Sequence, residues 1–431
     1  MIKQTQTRTI SFYTFGCRLN QAETAVIENS FKDPQYTIVD ISQPADIVVI
    51  NTCTVTENGD ADTRHLVHKI SRLNPSAQIA LVGCQAQIQK EKLLDLPNIH
   101  WVVGNAKKFD LAQIVQAVDI KPQVITPAIP RESFSIALAG IDSRHTRANL
   151  KIQDGCDFFC SFCEIPYARG RARSRNFENI LQEAEILTAA GHKEVVLTGI
   201  NIGTYMFEGK TLLDVIDALE QISGLKRIRI SSIEPTTVPK DLIQKMRGTS
   251  KLCRYLHIPL QSGSNKILNQ MERKYTVEEF VEFIQFAHKT VPEICIGTDV
   301  IVGFPGETGE DFQQTFDVLR ENPIDYVHVF SYSKRSLAKS RLLKNEISAP
   351  TKKQRSQILR DLSNRKRRVF QERMLQTAPE VLFEEKKKDT WLGVTDNYIR
   401  VKVRSERNLH NLLVKVQLQQ IENQTVAGQL L

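Results

Sequence analysis

A strand-like run followed by a helix-like run recurs along most of this chain, in two series. Within residues 8–118 the runs TISFYTF, ADIVVINT, QIALVG and IHWVVG are apolar and rich in β-branched residues. The segments between them, NQAETAVIENSF, ADTRHLVHKISRL, QIQKEKLLDL and FDLAQIVQAV, carry helical periodicity. The second series runs through NLKIQ (149–153), KEVVLTG (193–199), RIRISS (227–232), YLHIPL (255–260), GTDVIVG (297–303) and YVHVFSY (326–332). Consecutive parallel strands need a crossover, and a helix makes one compactly, so the alternation predicts an α/β fold with parallel sheets. Six such units in about 185 residues predict an open partial (βα)6 barrel rather than a closed eight-stranded one. One helix start is marked directly: Thr276 followed by Glu279 has the pattern of a capping box.

The rhythm breaks twice. Residues 119–147 carry three prolines and read as a linker. The tail, with EVLFEE, DTWLGVTDNYIRVKVRS, NLLVKVQLQQIEN and TVAGQLL, is rich in β-branched residues and turns, and predicts a small all-β barrel. The expected layout is therefore an N-terminal parallel α/β domain at 7–120, a linker at 121–146, a partial barrel at 147–372 and a small β-barrel at 373–431.

At 431 residues, 41% apolar and 25% charged, the chain has the balance of a soluble globular protein able to bury a sizeable core. No apolar run approaches the length of a membrane span, and MIKQTQTRTI lacks the apolar centre of a signal peptide. The expected location is the cytoplasm, with no membrane partner. There thiols stay reduced, and clustered cysteines more often bind metal than pair with each other. The net charge of +8 fits either a polyanionic partner or a merely basic enzyme. Residues 352–374 are more pointed. They hold Lys352, Lys353, Arg355, Arg360, Arg365, Lys366, Arg367, Arg368 and Arg373, with Ile358, Leu359, Leu362, Val369 and Phe370 at helical spacing. That pattern predicts a helix with a basic outer surface.

Eight cysteines remain to be explained. Cys156, Cys160 and Cys163 stand at C-x3-C-x2-C, in the loop after the first strand of the second series. Barrel active sites lie at that end of the strands. Three thiolates so spaced can wrap one side of a four-iron cubane, which usually takes four cysteines, and so leave one iron to another ligand. A zinc ion completed by a carboxylate is the competing reading. Cys17, Cys53 and Cys84 lie 36 and 31 residues apart, about one βα repeat each, and each follows a strand. In a parallel sheet such strand ends lie side by side, so the three thiols should converge on a second three-thiolate site. The alternative is that they fill the core as small hydrophobes. Cys253, just before the strand YLHIPL, and Cys295, between Ile294 and Ile296, read as packing residues.

The stretch LKIQDGCDFFCSFCEIPYARGRARSR, with the upstream GCRLN, NTCTVT and GCQAQ, resembles the radical S-adenosylmethionine methylthiotransferases. The resemblance covers nearly the whole chain, including a tail similar to a TRAM domain (LGVTDNYIRVKV). It implies two 4Fe-4S clusters and S-adenosylmethionine as cofactors. Cys156, Cys160 and Cys163 would hold the cluster that cleaves S-adenosylmethionine to a 5′-deoxyadenosyl radical. Cys17, Cys53 and Cys84 would hold the sulfur-donating cluster, facing the barrel mouth. Strand-end residues Thr198, Gly199, Glu234, Gln261 and Gly303 would contact S-adenosylmethionine, Glu234 through the ribose hydroxyls. Arg169, Arg171, Arg173 and Arg175 would meet a cofactor carboxylate or a phosphate, or stand solvated.

KIQDGC, IPYARGRARSR and NTCTVT look most like the members that modify C2 of N6-threonylcarbamoyladenosine in tRNA, beside the anticodon. Members acting on isopentenyladenosine, or on an aspartate of a ribosomal protein, are the alternatives. A zinc-stapled RNA-binding protein is the non-enzymatic one. On the favoured reading the anticodon stem-loop would be met by Arg365, Lys366, Arg367 and Arg368 and by the tail's Tyr398 and Arg400. A low-potential donor such as flavodoxin or ferredoxin would supply the electron.

Overall fold

A computed structural model of the chain describes residues 7–54, 57–117, 121–138, 145–248 and 250–431. Residues 1–6, where a leader would begin, and 139–144 of the expected linker lie outside the described residues. The chain divides into two compact units, one comprising Met1–Ile141, Lys151–Asn179 and Ser333–Arg341, the other Asp142–Leu150, Ile180–Tyr332 and Leu342–Leu431.

The first unit is built on β1 (Arg8–Thr14), α1 (Arg18–Ser30), β2 (Tyr36–Ile38), β3 (Ile47–Thr52), α2 (Glu57–Leu73), β4 (Gln78–Gly83), α3 (Cys84–Gln89), β5 (Ile99–Val103), α4 (Leu111–Gln116) and β6 (Gln123–Ile125). The strands form one parallel sheet in the order β2-β1-β3-β4-β5-β6. All six residues of β3 are buried, as a parallel strand covered on both faces requires. Its alternate side chains enter different cores. Ile47 and Val49 pack with Ile27, Phe31, Leu111 and Val115 on one side. Val48 and Ile50 pack with Val67, Ala86 and Leu93 on the other. β2 and β6 were not expected from the sequence. Each is three residues long, too short to show a period, and β6 arises within the stretch read as a linker.

In the second unit, Glu194–Thr198 lies between Arg147–Lys151 and Arg227–Ile230 in one sheet, and Cys295–Val302 lies between Tyr255–His257 and Tyr326–Ser331 in another. The second sheet is wholly parallel. A parallel bridge between Ile228 and Leu252 carries the first sheet to the segment that enters the second. The capping box at Thr276 forms: Glu279 N–H donates to Thr276 Oγ1 at 3.2 Å, and Thr276 N–H donates to Glu279 at 2.8 Å. The basic segment is a helix, Ala349–Met374, capped by Ser348. Leu359, Leu362 and Phe370 are buried, but Ile358 and Val369 are 37% and 56% exposed, so the apolar stripe is narrower than the spacing suggested. Strands Glu380–Lys387, Thr390–Thr395, Arg400–Arg404, Leu413–Glu422 and Thr425–Leu430 close into a barrel around Val381, Phe383, Val401, Val416 and Val426. Among the described residues no helix is long and apolar enough to cross a membrane.

Candidate functional site

All six cysteines of the two trios fall in the first unit. Cys53 and Cys84 directly follow β3 and β4, whose last residues Thr52 and Gly83 are register partners. Cys17 follows β1, the neighbour of β3 on its other side. A Cβ on Gly16 would stand 2.9 Å from the Cys53 sulfur, and φ at Gly16 is +96°. Only glycine lets the chain pass Cys53 so closely. Cys17 keeps an exposed edge. The mass of protein around it pushes its thiol up, Arg169 opposes that, and the Cys84 thiol is near enough to add to it. The three strand ends therefore converge.

Side-chain amides bind those ends together. Asn20 on α1 donates to the Phe15 and Thr52 carbonyls at 2.9 and 3.0 Å. Thr52 Oγ1 donates to the Val82 carbonyl at 2.7 Å. Asn105, beyond β5, donates to Cys84 Sγ at 3.6 Å and to the Ala168 carbonyl at 2.7 Å.

Ala168 lies on the short helix Ile165–Arg169, which begins two residues after Cys163. The cysteine loop before it is tightly wound. Gly155 has φ +71°, and a Cβ there would overlap the Arg171 carbonyl. Cys156 N–H donates to the Gly170 carbonyl at 3.1 Å, Cys163 N–H to the Cys160 carbonyl at 3.0 Å, and Ile165 N–H to Cys163 Sγ at 3.4 Å.

Two charged clusters tie this loop to the N-terminal sheet. In the first, Arg169 donates to Glu23 at 2.8 and 2.9 Å, to Asp154 at 3.0 Å and to Asn20 Oδ1 at 2.6 Å. Lys151 meets Glu23 and Asp154 at 2.7 Å each, and Lys108 meets Glu23 at 2.5 Å. All five charged side chains are buried. Burial would push the Glu23 and Asp154 carboxyls up, but the three cations outweigh it and hold both below the ordinary carboxylate range. In the second cluster, Arg335 bonds Glu164 at 3.0 Å, Asp60 at 2.9 Å and Thr54 at 2.6 Å. Glu164 also accepts from the Leu337 N–H at 2.7 Å.

Of the arginines after the cysteine loop, Arg169 and Arg175 differ from the expectation of solvated or phosphate-facing groups. Arg169 is buried among carboxylates. Arg175 is buried on Asn179 and the Lys151 carbonyl. Arg171 is half exposed and pairs with Asp157. Sequence reading missed Asn20, Glu23, Asn105, Lys108 and Arg335. The visible signal was Asn20 and Glu23 standing three and six residues after Cys17, on one face of the helix that follows it.

The other expected site residues lie in the second unit. Thr198 ends its strand with its hydroxyl buried and without a hydrogen-bond partner, and Gly199 follows it. Glu234 is ion-paired with Arg273, and burial pushes its carboxyl up against that pairing. Gln261 has φ +64° and donates its N–H to the Asp299 carbonyl at 2.8 Å. Gly303 has φ +74°, a Cβ there would overlap Lys352, and its N–H donates to Glu307 at 2.7 Å. On the basic helix Arg365 and Arg368 are exposed. Lys366 is turned onto the Arg320 and Asn322 carbonyls at 3.1 and 2.8 Å, and Arg367 lies over the Tyr326 ring. Arg400 is exposed, but Tyr398 is turned inward, stacked on Tyr255 with centroids 4.5 Å apart. Cys253 and Cys295 are buried, as expected of packing residues.

Residues 150–319 match the radical SAM superfamily, and residues 9–104 match the uncharacterized protein family UPF0004. The threonylcarbamoyladenosine tRNA methylthiotransferase MtaB of Bacillus subtilis (strain 168) is 36% identical over 95% of this chain and 93% of its own. That of Aquifex aeolicus (strain VF5) is 38% identical over 91% and 96%. A tRNA-2-methylthio-N(6)-dimethylallyladenosine synthase of Lachnoclostridium phytofermentans is 33% identical over 98% and 95%. Among solved structures, the radical S-adenosylmethionine methyltransferase TsrM from Kitasatospora setae matches with a TM-score of 0.55 at 14% identity, over 75% of this chain and 73% of that one, a likeness of fold. A parallel α/β protein that gathers two cysteine trios in one unit, with these relatives, has its class defined. The chain belongs to the radical S-adenosylmethionine methylthiotransferase family.

Proposed function

We propose that this chain is a tRNA methylthiotransferase that converts N6-threonylcarbamoyladenosine, at position 37 beside the anticodon, to its 2-methylthio derivative. One observation carries the reading: two cysteine trios, each one short of the four a cubane usually takes, lie in a single compact unit. The relatives named for the threonylcarbamoyladenosine reaction, at 36% and 38% identity, support the choice of substrate.

The donor set suits the cofactors. On this reading Cys156, Cys160 and Cys163 hold one 4Fe-4S cluster, and Cys17, Cys53 and Cys84 hold the other. Bound together, the clusters and S-adenosylmethionine supply a carbon-centred radical and the sulfur to be transferred. The chain's own residues do the positioning. Thr198, whose hydroxyl is buried without a partner, has a free hydrogen bond for S-adenosylmethionine. Glu234, oriented by Arg273, takes the ribose hydroxyls, while Gly199, Gln261 and Gly303 let backbone approach the ligand closely. The six parallel strands of the second sheet series form the partial barrel, read across 147–372. Residues 7–120 form the N-terminal domain, 121–146 the linker and 373–431 a TRAM-like barrel. Exposed Arg365, Arg368 and Arg400 offer charge to the RNA backbone. A low-potential protein such as flavodoxin or ferredoxin supplies the electron, in the cytoplasm.

Nucleoside mass spectrometry of tRNA from cells with and without the gene tests this reading. Loss of 2-methylthio-N6-threonylcarbamoyladenosine on deletion is expected. Its survival, with loss of the methylthio-dimethylallyl nucleoside instead, would move the chain to the other substrate.

A further inference from the structure

Three side chains of metal-ligating type, from three neighbouring strands of the second unit, meet on one face. The register pairs His257 with Gly297 and Asp299 with His328. Asp299 is two residues beyond Gly297, so all three side chains project from the same side of the sheet. His257 Nε2 is 2.8 Å from Asp299 Oδ1, and His328 Nδ1 is 3.4 Å from the same oxygen. The three donor atoms lie within 4.8 Å of one another.

Two further contacts make this a built arrangement. His257 Nδ1 lies 3.1 Å from the Tyr326 hydroxyl, itself 2.6 Å from the Tyr255 hydroxyl, and both phenols are buried. That contact fixes the ring so that Nε2 faces Asp299. Gly297 makes room for it, since a Cβ there would overlap the Tyr326 ring. His257 is buried, whereas His328 is half exposed, which leaves the open side of the cluster to solvent.

We propose that His257, Asp299 and His328 bind one divalent transition-metal ion, of the Zn2+ or Fe2+ class, with an open coordination position. Two imidazoles and one carboxylate are the donor set such ions take when a position is kept for water or a ligand. Ligands about 2.0–2.2 Å from a common ion lie roughly 3–3.5 Å apart, close to the two imidazole–carboxylate separations of 2.8 and 3.4 Å here. The phenol on His257 Nδ1 is the outer-shell partner that orients a metal-bound imidazole. No cysteine takes part, so this ion is additional to the iron of the two trios. The competing arrangement, in which Asp299 only accepts two imidazole N–H bonds, binds no ion.

The test uses anaerobically reconstituted holoenzyme with its full iron content, about eight per chain for two cubanes. It is dialysed against micromolar Zn2+, desalted, and both metals are counted in the same sample. One zinc per chain with iron unchanged is expected. His328→Ala, at a half-exposed position, should weaken zinc binding about a hundred-fold or more while keeping the iron and the circular dichroism of the parent. Asp299→Asn is the second variant, should His328→Ala fold poorly. Absence of a zinc equivalent on the iron-replete parent would overturn the proposal. So would a zinc equivalent that both variants retain at parental affinity.

Discussion

Arg169 holds Glu23 with both terminal guanidinium nitrogens, at 2.8 and 2.9 Å, where neither side chain meets solvent. Glu23 lies on the helix after Cys17, and Arg169 ends the helix after Cys163, so this pair fastens one cysteine trio to the other. Removing one partner of a buried pair leaves the other charged and uncompensated, at a cost of about 3–5 kcal/mol. Arg169→Met is therefore expected to lower the urea midpoint of the apo chain and the iron retained after reconstitution. Arg169→Lys should recover part of both, since a lysine restores the charge but not the paired hydrogen bonds. Parental midpoint and iron content in Arg169→Met would refute the fastening role.

Asn105 links Cys84 to the helix after the second trio, donating to Cys84 Sγ and to the Ala168 carbonyl. The duty of Cys84 itself should be separable. Cys84→Ala is expected to keep about four irons per chain and to go on forming 5′-deoxyadenosine, while methylthio transfer is lost. Cys160→Ala should lose both activities. Quantifying 5′-deoxyadenosine and methylthiolated nucleoside in the same reaction distinguishes these outcomes. Loss of both activities in a well-folded Cys84→Ala protein would mean that the trios do not have separate roles.

The sheets and the cysteine positions were legible because they rest on period and spacing, which survive in one dimension. β3 reads as a buried strand from IVVINT alone, and the convergence of Cys17, Cys53 and Cys84 follows from one repeat between thiols. The charged network was illegible for the opposite reason. Glu23, Lys108, Lys151 and Arg169 are distant in sequence, and each by itself resembles an ordinary surface residue. Only the packed fold reveals that they neutralise one another. The inward contacts of Lys366 and Tyr398 were illegible through the same gap. A helix period says which way a side chain leaves the axis, but not that a carbonyl pair or another ring awaits it there.

Cys253 gives the pH dependence a clear sign. Burial pushes its thiol up to about 12, against roughly 8.5 in an unfolded chain. The folded state therefore keeps a proton that the unfolded state gives up. The stabilisation is complete below about pH 8.5 and is lost as pH rises toward 12. Cys253→Ala removes that contribution. The stability difference between parent and variant, from urea unfolding at pH 8, 9 and 10, should shrink steadily. A difference that stays constant across this range would exclude Cys253 as a source of alkaline sensitivity.

Gly155 and Gly209 separate backbone strain from steric overlap. Both have positive φ, +71° and +81°, where an L side chain is disfavoured by about 1 kcal/mol. At Gly209 nothing lies within 4 Å of an added Cβ, so Gly209→Ala should show only that cost, a melting shift of a few degrees with iron content unchanged. At Gly155 the added carbon would overlap the Arg171 carbonyl, backbone that cannot swing aside. Gly155 immediately precedes Cys156, whose N–H bonds the Gly170 carbonyl at 3.1 Å, so relief must open the loop that sets the spacing of Cys156, Cys160 and Cys163. Gly155→Ala is expected to lose the iron of that trio and with it the cleavage of S-adenosylmethionine, while the iron held by Cys17, Cys53 and Cys84 remains. Equal, mild effects in the two variants, by iron assay and 5′-deoxyadenosine yield, would show that the loop is pliable and that its tight winding is not what positions the thiols.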